Sequence, residues 1–129
     1  MIRLEVVEGQ DAGRRLESGE DEIRMGRSEL NDLVLSEWHV SGDHASIVAS
    51  GDSYIARDHQ STNGTRIIRA GEIIDLAADP DREAELANAD VILLGDAERP
   101  VRVLVHIGDE PDDARGMAVK LMGVEGDKL

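Results

Sequence analysis

Apolar and polar residues alternate with a period of two in short runs over the first 107 residues, each run broken by Gly, Asp, Ser or Asn. That alternation turns one face of a pleated strand toward a core and the other toward water. It predicts strands at Ile2 to Glu8, Arg14 to Glu17, Glu22 to Arg27, Leu33 to Ser36, Ala45 to Ala49, Tyr54 to Arg57, Thr65 to Ile68, Glu72 to Leu76, Val91 to Leu94 and Val101 to Ile107. Ser50-Gly51-Asp52-Ser53 and the stretch from Gly95 to Pro100 read as hairpin turns, and Gly9 and Gly13 flank a turn after the first strand. Strands of this length and spacing predict an all-β sandwich.

One segment breaks the pattern. From Asp79 to Asn88 the chain offers an Asp at an N-cap, Pro80 at the first helical position and acids in the first turn, which predicts a short, surface-lying helix over 79–88. Residues 108–113 form an acidic linker containing Pro111, and the apolar run Met117 to Met122 predicts a docked terminal strand. The expected organisation is one domain over residues 1–107, followed by an acidic linker and tail over 108–129.

Composition narrows the picture. Trp38 and Tyr54 are the only aromatic residues, so the core must be packed from Val, Ile, Leu, Ala and Met, with Trp38 and Val40 expected in the core or packed under a loop. Twenty-eight acidic residues against 14 basic ones leave a formal net charge of -14. Nucleic acid and anionic membrane surfaces are therefore poor partners, and any anion site must be a local exception. The chain has no cysteine, which excludes disulfides and thiolate metal sites. Its first residues alternate as a strand does, and no apolar run is long enough to span a bilayer, so a cytoplasmic protein is expected.

Three motifs fall where strands give way to loops: Gly26-Arg27, Ser41-Gly42-Asp43-His44 and Ser61-Thr62-Asn63-Gly64-Thr65. An arginine can fork two hydrogen bonds onto a phosphate and keeps its charge at neutral pH. A serine hydroxyl can donate to a phosphate oxygen, while His44 can bond a loop carbonyl and hold the loop's shape. Asn63 tolerates positive φ and can bond an extended peptide backbone, and Gly64 lets that backbone approach. Taken singly, each motif also reads as an ordinary turn or a surface arginine.

In this order and combination, and with Asn31-Asp32-Leu33-Val34-Leu35, Val40, Ala45 and Asp58 as further matches, the chain resembles the forkhead-associated (FHA) domain family from Ile2 to Ile107. The resemblance implies an 11-stranded β-sandwich that binds phosphothreonine and catalyses nothing. It assigns Arg27 and Ser41 to the phosphate, a hydroxyl contribution to Thr62, the peptide backbone to Asn63 and loop bracing to Gly26, His44 and Gly64. Arg66 and Arg69, just after the Asn-Gly turn, would make that end locally positive. The partner would be a phosphothreonine-containing protein or a segment of the same polypeptide. One position departs from the pattern: where the family usually carries Arg or Lys after the motif serine, this chain has Gly42. An FHA-type module that binds its partner independently of phosphate is the alternative.

Enzymatic readings find little support. His39, His44, His59 and His106 do not pair as the ligands of a cupin-like metal site would, so no metal or other cofactor is expected. Neither a nucleophile elbow nor a phosphate-binding glycine loop of the nucleotide-binding kinds is present.

Overall fold

A computed structural model describes residues 1–108, so the expected linker from residue 109 onward and the expected terminal strand from Met117 to Met122 lie outside the described residues. Eleven strands form two sheets: β1 (Ile2–Glu8), β2 (Arg15–Ser18), β3 (Glu22–Gly26), β4 (Leu33–Val34), β5 (Ala45–Ser50), β6 (Ser53–Asp58), β7 (Thr65–Arg69), β8 (Glu72–Asp75), β9 (Glu83–Glu85), β10 (Val91–Leu94) and β11 (Val101–Ile107). One sheet runs β2-β1-β11-β10-β7-β8 and the other β4-β3-β5-β6-β9.

The core follows from the alternation. Ile2, Leu4 and Val6 of β1 and Val101, Val103 and Val105 of β11 all point inward, because the antiparallel register sets Leu4 opposite Val105 and Val6 opposite Val103. Ile67, Ile92 and Leu94 extend that face, and it meets Ile23, Met25, Ala45, Ile47 and Ala56 of the second sheet in a single apolar cluster. Each such aliphatic side chain, fully buried, contributes about 1.5–3 kcal/mol. Trp38 is not part of this core: it stands 81% exposed, whereas Val40 is buried. Trp38 is instead presented from the loop between β4 and β5.

The helix expected over 79–88 does not form. A single 3-10 turn, Leu76–Ala78, is followed by β9, which pairs antiparallel with β6 at Ile55, Ala56 and Arg57. Asp79 caps a turn and not a helix: its carboxylate accepts from the backbone N–H groups of Asp81 (2.9 Å) and Glu83 (3.1 Å), and Arg82 takes φ 57°, which ends any right-handed coil. The segment also contributes to the core, because Leu86 is buried, as is Leu76 just before it.

Chain reversals place four loops together at one end of the sandwich: those following β3, β4, β6 and β10. At the end of β7, Ala70 (φ 51°) and Gly71 (φ 83°) close the hairpin to β8 with two left-handed residues. Alanine is a poor occupant of that region, and Asn tolerates it better. Ala70→Asn is expected to raise unfolding stability by about 0.5–1 kcal/mol, read as a higher urea midpoint at unchanged slope.

Candidate functional site

The loop end is built on close backbone approach. Arg27 N–H donates to Ser41 O (3.0 Å) and Ser28 N–H to Gly42 O (3.1 Å), laying the loop after β3 against the loop before β5. Gly26 permits this contact, since a Cβ there would fall inside the van der Waals shell of Gly42 O and 2.9 Å from Asn31 Nδ2. Asn31 completes the joint by donating to Ser28 O (2.9 Å) and Gly42 O (2.7 Å).

His44, fully buried, fastens this pair of loops to the Asn-Gly turn. Its Nδ1 accepts from Ser41 N–H at 2.9 Å, so the proton of the neutral ring sits on Nε2, which donates to Gly64 O at 2.9 Å. Burial pushes its pKa below the ordinary 6.5, against the opposing pull of the Gly64 carbonyl. Gly64 takes φ 89°, a conformation suited to glycine, and its N–H donates to Ser61 Oγ (3.0 Å).

Asp58 holds the turn from below. Its buried carboxylate accepts from Ser61 Oγ, from Ser61 N–H (3.1 Å), from Thr65 Oγ1 (2.6 Å) and from Arg82 Nε (3.1 Å). Burial alone would raise this carboxyl's pKa, but the hydrogen bonds from Ser61, Thr65 and Arg82 outweigh it and hold the pKa below the ordinary 3.8. Such a carboxylate on a strand end, followed three residues later by Ser, is the sequence signal of an Asx-type turn that motif reading passes over.

On this frame stand the exposed groups. Arg27 Nε donates to Val40 O (3.0 Å), which fixes the guanidinium; the residue is exposed, with no carboxylate of the described residues at ion-pair distance. Ser41 Oγ accepts from Thr62 N–H (3.1 Å), leaving its own proton to donate. Asn63 Nδ2 donates to His39 O (2.8 Å), so its amide oxygen is the end left for a ligand. Thr62 is exposed beside Ser41. Arg66 joins the same end, donating to Gly95 O (3.1 Å), whose residue in turn donates N–H to Gly64 O.

Arg69 does not join them. It lies at the far end of β7 with its charge met by Asp90 (2.7 Å), so proximity in sequence misplaces it: four residues of extended strand carry it about 13 Å away from the turn. Gly42 meets nothing within 4 Å of a built Cβ, so no steric demand enforces glycine there.

A serine, a histidine and an aspartate also line up nearby: Ser46 Oγ lies 2.8 Å from His59 Nε2, and His59 Nδ1 lies 3.2 Å from Asp43 Oδ1. Ser46 is 1% exposed beneath the ring, which closes its hydroxyl to any substrate carbonyl. The row ties Asp43 of one loop to His59 of the next.

Fold and site together define a two-sheet β-sandwich whose loops at one end present fixed polar groups around an unpaired arginine. The FHA domain family model matches residues 23–95, more than half of the chain, and the chain belongs to that family. The FHA domain-containing protein FhaB of Mycolicibacterium smegmatis is 37% identical over 68 residues, which make up 53% of this chain and 44% of that protein; the chain thus spans less than half the length of this relative. The solution structure of the FHA domain of an Arabidopsis thaliana hypothetical protein superposes with a TM-score of 0.71 at 26% identity, over 87% of this chain and 89% of that one. A structure described as a structural and functional analysis of phosphothreonine-dependent FHA domain interactions gives 0.65 at 26% identity, over 84% and 97%.

Two outcomes follow from the bracing. Gly26→Ala is expected to push the Gly42 loop away and lower stability by about 1–3 kcal/mol, measurable by urea unfolding. A histidine whose folded pKa is depressed stabilises fully above its unfolded pKa and loses that contribution as pH falls. Stability is therefore expected to decline as pH drops below 6.5, and the His44→Gln variant to lose the His44 share of that slope in unfolding series at pH 8, 6.5 and 5.

Proposed function

We propose that this chain is a non-catalytic, phosphothreonine-dependent protein–protein interaction module acting in the cytoplasm in Ser/Thr kinase signalling. The observation that carries this reading is Arg27: a guanidinium anchored through Nε, unpaired among the described residues, beside a serine hydroxyl with its proton free. Arg27 forks the phosphate, Ser41 and Thr62 donate hydroxyls, and the Asn63 amide oxygen accepts an N–H of the peptide backbone. The loop frame holds these groups before ligand arrives, which reduces the ordering cost of binding. Arg66, free of carboxylates among the described residues, adds positive potential. The family membership and the likeness to a structure from work on phosphothreonine-dependent FHA interactions support the same reading.

The 129 residues contain only two threonines, Thr62 in the site loop and Thr65 buried on β7, so the ligand threonine belongs to another protein or to polypeptide outside these residues. Gly42 and the acidic surface favour a second reading, an FHA-fold module that binds without phosphate. Titration of matched phosphothreonine and unphosphorylated peptides separates the two, and equal affinities would sink the phosphate reading. Arg27→Ala is expected to weaken phosphopeptide binding at least a hundredfold, by loss of about 1.5–3 kcal/mol for each charged hydrogen bond. Gly42→Lys, with open space at its Cβ, is expected to tighten it by about tenfold to a hundredfold.

A further inference from the structure

The structure assigns the cleft beside the phosphate loops to an arginine of the bound segment: we propose that Trp38 and the carboxylates of Glu37, Asp96 and Glu98 select a phosphothreonine ligand carrying a basic residue a few places away. This rests on the phosphothreonine reading above and names the class of segment that site takes.

The cleft, of ≈ 680 Å³, is walled by the loop after β4, the loop after β10, and Glu8 and Gly9 at the end of β1. Its connection to the phosphate end is direct. The wall residue His39 accepts from Asn63 through its carbonyl, and Gly95, next to the wall residue Asp96, is bonded to Gly64. An extended peptide advances about 3.3 Å per residue, so a chain anchored at Arg27 and Asn63 reaches the cleft within a few residues.

Its chemistry is that of a cation site. Trp38, the sole tryptophan, is 81% exposed, held edge-on against His39 with ring centroids 5.4 Å apart. An indole face open to water beside carboxylates attracts a guanidinium, which can stack on the ring and fork to the acids at once. Glu37, Asp96 and Glu98 have no arginine at ion-pair distance among the described residues, although Arg99 also lines the cleft. Backbone groups orient two of the acids: Glu37 accepts from Gln10 N–H of the turn after β1, and Asp96 from Glu98 N–H.

An independent observation fits a peptide occupant. His39 is 8% exposed and its Nδ1 accepts from Asp96 N–H (3.0 Å), which places the proton of the neutral ring on Nε2. That N–H stands 3.7 Å from Glu37 Oε1, beyond hydrogen-bond distance, and has no other acceptor among the described residues. A backbone carbonyl of a segment entering the cleft that His39 lines would satisfy this buried donor. The geometry is enforced, because a Cβ at Gly95 would collide with the His39 ring.

The net charge of -14 gives the preference a second source. A phosphate is repelled at long range by such a chain, and a basic residue on the same segment offsets that repulsion. The test is a peptide panel in which a single arginine is moved through the positions flanking phosphothreonine, with Ala and Glu in its place as controls, titrated by fluorescence anisotropy. At one or two positions arginine is expected to bind about tenfold tighter than alanine, with glutamate weaker than both, and only the arginine peptide should shift Trp38 emission. Trp38→Ala and Glu98→Gln should each reduce the arginine advantage while leaving the alanine peptide's affinity unchanged. Arginine no better than glutamate at every position, or a Trp38→Ala loss equal for all peptides, overturns the proposal. If phosphorylated and unphosphorylated forms bind alike, the phosphothreonine reading has failed. The unphosphorylated arginine peptide then judges the cleft separately: Trp38-dependent binding upholds its cation preference, and none overturns it.

Discussion

A neutral imidazole joins the two sheets at the end where the motifs meet. Ser41 leads into β5 of one sheet and Gly64 into β7 of the other, and His44 bonds both, one through each ring nitrogen. Because the Ser41 N–H can only donate, the ring must accept at Nδ1 and donate at Nε2, and protonation would set two donors face to face. The ring therefore works only in its neutral form, which burial favours. Asp58 performs the complementary task with the opposite charge state: an ionised carboxylate gathers Ser61, Thr65 and Arg82, so the Asn-Gly turn is held from both sides. Deleting either partner of such a buried bond leaves an unsatisfied polar group, which costs more than the bond's net worth.

Sequence reading succeeded where one physical signal dominated. The strands around the core are visible because Ile2, Leu4 and Val6, or Val101, Val103 and Val105, alternate strictly with residues that face water. It failed at β9, where Glu-Ala-Glu has almost no hydrophobic signature and Asp79-Pro80 imitates a helix start. What decides that segment is tertiary: the open edge of β6 and the burial of Leu86. The family resemblance names Arg27, Ser41, Thr62 and Asn63, and the structure brings the four onto adjoining loops. The direction of a side chain could not: Trp38 faces water where an apolar residue is expected inside, and Arg69 finds Asp90, twenty-one residues away. Asn31 and Asp58 drew notice only as pattern matches, because their work is done on backbone groups that a sequence does not display.

In so acidic a chain, the location of the unpaired cations carries weight. Twenty-eight acids surround fourteen basic residues, so an arginine with no special placement should find a carboxylate. Arg15, Arg24, Arg57, Arg69, Arg82 and Arg102 each do. Arg27, Arg66 and Arg99 meet no carboxylate among the described residues, Arg27 and Arg66 bonding backbone carbonyls instead, and all three stand at the loop end. An exposed guanidinium fixed at the loop end with no carboxylate partner among the described residues is the feature that favours the phosphate reading over a phosphate-independent one. On the phosphate reading proposed above, an anionic group supplies the compensation through the paired N–H groups that a guanidinium offers. On that reading, glycine in place of a second cation at position 42 lowers the strength of the capture and leaves its chemistry intact. On the cleft proposal, discrimination among phosphorylated partners falls to the neighbouring surface, where the sign of the charge reverses.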